Sequence, residues 1–299
     1  MTLVEWDRAT TAEREAYARS IGHGFDFRGM ETHACGAIRR EVATFTRYGS
    51  EFVLVPGRNL TLGFDATGWT PTESELADWN GFAEEFGLEE HISAHVAQST
   101  VGPRRVRLPT LLVERTSSEV GWEPIAPGTP GVPQVDPGAG TVLMYRDGAE
   151  FRARAGRLER AVEMRHADVV RMFRSAGYRL PSSDEWEHLC GGGARTLYRW
   201  GDHAPGNQYP VDSGAFRDHL APNAFGLSVA SNPYHYEVVA EEDRLRGGDG
   251  GCAVCGGQGA FLAWLPLATS YFDRELSSSN PSGLLDPGYT FVRRVFEVG

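Results

Sequence analysis

The stretch Arg179-Leu-Pro-Ser-Ser-Asp-Glu-Trp-Glu-His-Leu-Cys190 decides the fold of this chain. Proline near its start, a serine cap at Ser182 or Ser183 and two acidic residues directly after the cap all favour the first turn of a helix. Trp186 follows and predicts a buried anchor. We therefore expect a helix that begins close to Ser183 and is held to a core by the indole of Trp186.

Three further motifs follow this stretch in a fixed order. They are Arg199-Trp-Gly-Asp202, Asn223-Ala-Phe-Gly-Leu227 and Arg246-Gly-Gly248. Together with the R-L-P-x-x-x-E-W-E pattern, they resemble the formylglycine-generating enzyme (sulfatase-modifying factor) family. The segment Phe52-Val-Leu-Val-Pro-Gly57 is similar to the opening hairpin of that family. The resemblance implies an α+β chain with a C-type-lectin-like fold, little regular secondary structure and many loops.

The resemblance also implies a domain organisation. A single domain similar to the formylglycine-generating enzyme is expected over 48–299, with insertions at about 64–102 and 115–150. Residues 1–47 are then expected to form an N-terminal helical extension. Within it, Thr10-Thr-Ala-Glu13 has the capping-box pattern, which predicts a short helix.

Hydrophobic periodicity predicts further elements along the chain. Residues 73–86 and 157–176 carry apolar side chains at helical spacing, and 104–112 alternates between basic and apolar residues as a strand does. Beyond Cys190 the chain is rich in Gly, Pro and Asn, without long periodic runs. This half of the chain is expected to consist mainly of loops.

Composition limits the partners. The 299 residues include 40 acidic and 29 basic side chains, a formal net charge of -11, whereas nucleic acids and anionic membranes attract basic surfaces. Neither is therefore expected as a partner. Every basic side chain is an arginine, which excludes Schiff-base lysine chemistry and a P-loop lysine. No signal-peptide or membrane-span pattern is found, so we expect a cytoplasmic protein whose four cysteines stay reduced.

The segment Arg246-Gly-Gly-Asp-Gly-Gly-Cys-Ala-Val-Cys-Gly-Gly257 is where chemistry is expected. Cys252 falls on the first of two cysteines that hold Cu(I) in the family, and Cys255 lies two residues before the position of the second. The resemblance implies that this pair binds Cu(I), a soft cation that favours thiolates, and that O2 is activated there. From the residues alone, a soft-metal site, a redox or disulfide pair and two buried inert thiols all stay open.

Five other side chains complete the predicted site. Asp249 replaces a serine of the family, and its negative charge should raise the pKa of the neighbouring thiols. Asp249 or His235 is predicted to handle a proton during oxidation. Arg246, Trp264 and Tyr234 are predicted to bind substrate, with a structural or anion-binding role as the alternative for Arg246.

Calcium sites are a further implication of the resemblance. Asn207 and Asp212 follow the W-G-D motif and could serve one calcium site of the family. Asn232 is retained from a second site, in which His235 stands where the family has a glutamate. Because imidazole is a poor ligand for Ca²⁺, that second site departs from the pattern.

Three classes of function follow. The first, which we favour, is a copper(I)-thiolate oxidoreductase that uses O2 and acts on a thiol-containing peptide or a small molecule. The second is a non-catalytic protein that binds a ligand or another protein on the same lectin-like scaffold, favoured by Asp249 and by the apolar segment 261–267. The third is a dithiol redox protein, which shares only Cys-x-x-Cys and for which no helix start is expected at the cysteines.

Overall fold

A computed structural model describes residues 1–126, 129, 132, 141–146, 148–154, 157–212, 214–274 and 283–299. This part of the chain combines helices with several antiparallel sheets and is of the α+β class, as predicted. None of its helices has the length and apolar character needed to cross a membrane. The α-helices are α1 (Leu3–Arg8), α2 (Thr11–Ser20), α3 (Glu73–Phe86), α4 (Ile92–Ser99), α5 (His166–Ser175), α6 (Ser183–Gly191), α7 (Gly250–Gly256) and α8 (Ala260–Trp264).

Four sheets are formed by the described strands. Their orders are β1-β2-β3-β6-β15, β8-β11-β10-β9, β13-β12-β14-β7 and β4-β5. The strands are β1 (Asp26–Cys35), β2 (Ile38–Arg47), β3 (Ser50–Val55), β4 (Arg58–Leu62), β5 (Arg104–Leu108), β6 (Leu111–Glu114), β7 (Ser118–Glu119), β8 (Trp122–Pro124), β9 (Val142–Arg146), β10 (Ala149–Arg154), β11 (Arg157–Ala161), β12 (Tyr236–Val238), β13 (Leu245–Gly247), β14 (Thr290–Val292) and β15 (Val295–Glu297).

The N-terminal segment is not a helical extension. Helices α1 and α2 occupy its first part, and Thr10 caps α2 in a capping box, as predicted. Residues 26–47, however, form the hairpin of β1 and β2, and β2 pairs with β3, where Phe45 lies opposite Phe52. The predicted boundary at residue 48 therefore falls inside the central sheet, because β2 buries its apolar side chains in the same core as β3.

The two predicted insertions differ in structure. Residues 64–102 contain α3, which confirms the helix predicted at 73–86, and α4; both pack with α8 in a second apolar core. The described residues of 115–150 lie mainly in strands. The helix predicted from residue 157 is wrong in its first part, since 157–161 is strand β11, paired with β10, and α5 begins only at His166.

Helix α6 links the main core to the cysteine segment. Ser182, one of the two serines predicted as the cap, forms a capping box with Glu185, and Gly192 ends the helix with φ of +59°. Trp186 is fully buried in the main core. On the same helix, the buried carboxylate of Glu187 reaches the guanidinium of Arg246 in β13 at 3.3 Å. The chain leaves β13 two residues before Asp249, so α6 and β13 position the segment that carries the cysteines.

Candidate functional site

The cysteine segment forms a short helix rather than a loop. Asp249 caps α7, and its Oδ1 accepts the backbone N–H of Cys252 at 3.3 Å. Gly250 and Gly251 are buried, and the N–H of Gly250 donates to the carbonyl of Pro233 at 2.9 Å. A cap and tertiary packing thus overcome the low helix propensity of this glycine-rich sequence. The expectation that no helix starts at the cysteines is wrong.

The four cysteines fall into two classes. Cys35 and Cys190 are buried free thiols, and burial raises the pKa of Cys190 to about 12. Cys252 and Cys255 are exposed free thiols on α7. The hypothesis of an inert buried pair is therefore excluded for these two residues, and both sulfurs are accessible to a metal ion or a reagent.

Asp249 controls the protonation of Cys252. The thiol donates to Oδ2 of Asp249 at 2.6 Å. This hydrogen bond to the carboxylate, helped by partial burial and by the negative charge of Asp249, raises the pKa of Cys252 to about 11. The raised pKa was predicted from the sequence for thiols beside Asp249. Cys252 is therefore a neutral thiol near pH 7, and Asp249 is the nearest acceptor for its proton.

Tyr234 is in contact with the second thiol. Its hydroxyl lies 3.4 Å from Sγ of Cys255. That contact, more than burial, raises the pKa of Tyr234 to about 12. Of the three residues predicted to bind substrate, Tyr234 is the one that the structure places beside the cysteines.

The glycines of this segment make room for two tyrosine rings. A Cβ at Gly251 would overlap the Cδ1–Cε1 edge of Tyr234, and a Cβ at Gly248 would overlap the ring of Tyr236. Burial, followed by the charge of Asp249, raises the pKa of Tyr236. Its position against Gly248 could not be predicted, because it depends on the pairing of β12 with β13.

His235 is not brought to the thiols. Its ring stacks on Phe291 with 4.1 Å between ring centroids, and burial lowers its pKa. It lines a small pocket together with Asn232 and Trp186. Among the described residues, its ring forms no hydrogen bond with Asp249 or with either cysteine of α7. Of the two residues predicted to handle a proton, Asp249 alone has the required contact.

Arg246 and Trp264, both predicted to bind substrate, are fully buried. Arg246 donates from Nε to the hydroxyl of Ser183 at 2.9 Å and from Nη1 to the carbonyl of Tyr271 at 2.8 Å. Its Nη2 donates to the carbonyl of Ser183 at 3.2 Å. All three nitrogens thus have partners inside the protein. Both side chains support the fold, which for Arg246 is the structural alternative, and neither presents a polar group to solvent.

Two of the three residues predicted to bind calcium have hydrogen-bond partners within the protein. Oδ1 of Asn207 accepts from the hydroxyl of Ser74, and Oδ1 of Asn232 accepts the N–H of Tyr234 at 2.9 Å. Asp212 is exposed at the end of a 3-10 turn. Within the described ranges, no group of three or more His, Cys, Asp or Glu side chains is arranged to hold a metal ion. These contacts do not assemble an oxygen-rich calcium site.

No protein-family model matches the sequence. A search of curated proteins finds no match at a significant level.

Proposed function

We propose that the chain is an oxidoreductase in which Cys252 and Cys255 bind Cu(I), and which uses O2 to oxidise a thiol-containing peptide or small molecule. The observation that carries the proposal is the position of the two thiols. Both are exposed on one short helix, and each is in contact with a different polar side chain, Asp249 or Tyr234.

The donor atoms suit copper in its reduced state. Cu(I) is a soft cation for which thiolates are preferred ligands, and the pair offers two thiols to solvent. Bound there, Cu(I) would supply the electrons that start the reduction of O2. The donors do not suit calcium, and no part of the proposal depends on it.

Asp249 supplies the proton acceptor that thiolate formation requires. Metal ligation needs deprotonated sulfur, so binding must release the proton of Cys252. That proton already lies on the hydrogen bond to Asp249. Because the pKa of Cys252 is about 11, the affinity for a soft metal should rise with pH through the neutral range. Asp249 thereby takes the place that the resemblance assigned to a serine.

The buried motifs support a finer statement about the fold. Trp186 and Arg246 lie in the core, and the amide of Asn223 donates to the carbonyls of Leu189 and Cys190 at 2.6 and 3.1 Å. Each motif thus contributes contacts that hold α6 and the loops after it together. These contacts support the C-type-lectin-like fold of the formylglycine-generating enzyme type as a proposal. The cytoplasm, where both surface thiols would stay reduced, is the compartment that the proposed chemistry requires.

Two observations favour the other classes of function. The start of α7 at Asp249 places Cys-x-x-Cys at a helix N-terminus, as dithiol redox proteins do, although Asp249 raises the pKa of Cys252 and so slows its attack on a disulfide. That same raised pKa also favours a non-catalytic binding protein, because a neutral thiol is a weaker nucleophile and ligand than a thiolate.

Oxygen uptake separates these possibilities. Protein loaded with one equivalent of Cu(I) is mixed with cysteine, cysteamine or a cysteine-containing peptide, and O2 consumption is recorded beside Cys252→Ser and Cys35→Ser. Catalytic uptake that Cys252→Ser abolishes and Cys35→Ser retains supports the oxidoreductase. Disulfide reduction without metal would instead establish the dithiol protein. If folded, copper-loaded protein shows neither activity, the result supports the non-catalytic binding protein.

A further inference from the structure

We propose that Tyr234 and Cys255 become joined by a thioether bond between the cysteine sulfur and the ring carbon next to the hydroxyl-bearing carbon of the tyrosine. The inference rests on the proposed function, because that function brings O2, the oxidant, to this surface. It adds a covalent modification to a site that the metal hypothesis treats as two simple thiols.

The ring of Tyr234 lies along one face of α7. Its Cδ1–Cε1 edge is in contact with Gly251, so closely that no side chain fits there. Its hydroxyl reaches Sγ of Cys255 at 3.4 Å. Residues 251 and 255 are four apart and share one helix face, one turn from each other. Cε1, a ring carbon next to the hydroxyl-bearing carbon, therefore belongs to the edge that faces the helix carrying the thiol.

The backbone on both sides holds this contact in place. The N–H of Gly250 donates to the carbonyl of Pro233 at 2.9 Å, which ties the start of α7 to the tyrosine turn. Within the turn, the N–H of Tyr234 donates to Oδ1 of Asn232 at 2.9 Å. Cys255, in contrast, is exposed near the end of α7, so its sulfur can rotate onto the ring. Tyr234 is thus held in place, whereas the side chain of Cys255 can rotate towards it.

The chemistry balances with one molecule of O2. The S–H bond of Cys255 and one ring C–H bond of Tyr234 break, and a C–S bond forms. The two electrons and two protons released reduce O2 to hydrogen peroxide. Oxidation of a phenol by one electron places unpaired spin on the ring carbons next to the hydroxyl-bearing carbon, which is why the sulfur adds there. The product leaves Cys252 as the one free thiol of α7 and keeps Tyr234 over the helix.

Tyr236 provides the matched control. Its ring also lies against this segment, at Gly248, but it makes no hydrogen bond with either cysteine of α7 among the described residues. Tyr234→Phe should therefore prevent the cross-link, whereas Tyr236→Phe should allow it. Tyr236 is the more buried of the two and its hydroxyl bonds Asp249, so a general loss of folding would affect Tyr236→Phe at least as strongly as Tyr234→Phe.

Intact mass and thiol counting test the proposal. The full chain is loaded with Cu(I), exposed to air, then denatured in excess reductant, beside a sample kept anaerobic with a chelator. We expect a loss of two hydrogens that the reductant does not restore, and three titratable thiols in place of the four free cysteines. Peptide mapping should then find the Tyr234 and Cys255 peptides covalently joined in wild type and in Tyr236→Phe, but not in Tyr234→Phe.

Other outcomes separate this inference from the proposed function. A mass loss that the reductant reverses indicates a disulfide and overturns the cross-link. Bound copper with unchanged mass also overturns it, while the copper site stands. If no copper binds, the proposed function fails. Copper and air are then replaced in the experiment by a photochemical one-electron oxidant, a ruthenium tris-bipyridyl complex with persulfate. Cross-linking of Tyr234 to Cys255 then supports the inferred contact, and its absence overturns it.

Discussion

Arg246 and Cys252 are six residues apart, yet they belong to two very different parts of the molecule. Arg246 is fully buried, and all its guanidinium nitrogens donate to partners inside the protein. Cys252 is exposed on α7, and its thiol donates to the carboxylate of Asp249. Arg246, Trp186 and Asn223, which match the motifs of the resemblance, are buried, whereas Cys255, which departs from its position in the motif, is exposed. In this chain, the motif resemblance therefore supports the fold more strongly than it supports the chemistry of the site.

The largest effect should come from the buried side of this comparison. Arg246→Met leaves the carbonyl of Tyr271 and the hydroxyl of Ser183 without their donor in a buried position. We expect a loss of about 3–5 kcal/mol in the free energy of unfolding, measured by chemical denaturation. As control, Arg244→Gln removes a partly exposed arginine whose nearest carboxylate, Asp243, is 4.0 Å away. That change should stay within about 0.5 kcal/mol. Equal losses of stability in both variants would contradict the contrast between the buried and the exposed arginine.

The glycines test how the surface site is joined to the core. Gly248→Ala introduces a Cβ into the ring of Tyr236 at a φ of +56°. Gly257→Ala meets the same backbone strain, with φ of +66°, but has nothing within 4 Å of its Cβ. Gly248→Ala should therefore destabilise the protein by about 1–3 kcal/mol more than Gly257→Ala, in thermal or chemical unfolding. Equal costs would show that backbone strain alone accounts for Gly248.

Removal of the charge of Asp249 should increase the reactivity of the Cys252 thiol. Asp249→Asn keeps an oxygen to cap α7 but removes the carboxylate that raises the pKa of Cys252 to about 11. The thiolate becomes more populated, so alkylation of Cys252 at pH 8 should accelerate by roughly ten- to a hundredfold. Site-resolved mass spectrometry with iodoacetamide measures the rate. Asp243→Asn, an exposed carboxylate outside this contact, should leave the rate unchanged, and an unchanged rate in Asp249→Asn would remove Asp249 from the proposed role.

His188 gives an effect that is confined to acidic pH. It is buried, and burial lowers its pKa to about 3, whereas an unfolded histidine titrates near 6.5. Between those values the unfolded state binds the extra proton, so stability falls as pH drops below about 6.5. The expected slope is at most about 1.4 kcal/mol per pH unit. His188→Gln should flatten the profile relative to wild type between pH 6.5 and 4. An unchanged difference between the two proteins over that range would contradict the assignment.

Local signals in the sequence were sufficient for several helices. The capping-box pattern at Thr10 predicted α2, a serine cap followed by acidic residues predicted α6, and the spacing of apolar residues predicted α3. Each of these signals involves residues within one or two turns of each other. The α+β class was implied by the family resemblance, and the helices and antiparallel sheets of the described residues agree with it.

Elements that depend on distant partners could not be predicted. β1 carries polar side chains on both faces, since it lies at the edge of the central sheet, so its period-2 pattern is weak. β11 has a helix-compatible sequence but pairs with β10. α7 forms from a glycine-rich segment because Asp249 caps it and Pro233 packs against it.

The candidate site was predicted only in part, for the same reason. Asp249, Cys252, Cys255 and Tyr234 were identified from their order near Arg246, and the structure brings them into contact as two pairs. His235 is a neighbour of Tyr234 in sequence, but its side chain points to Phe291 instead. Both residues lie at a turn in which the N–H of His235 donates to the carbonyl of Asn232, and the sequence alone did not show which of the two side chains would meet α7.

The most direct test is anaerobic Cu(I) binding by competition with a chromogenic chelator. Wild type is compared with Cys252→Ser, Cys255→Ser and Cys35→Ser, the last being a buried thiol away from the pair. We predict one tightly bound ion in wild type and Cys35→Ser, loss of tight binding in both α7 variants, and an affinity that rises with pH because Cys252 must lose its proton. Weak binding, or binding that neither α7 substitution changes, would contradict the assignment of these two thiols as a copper site.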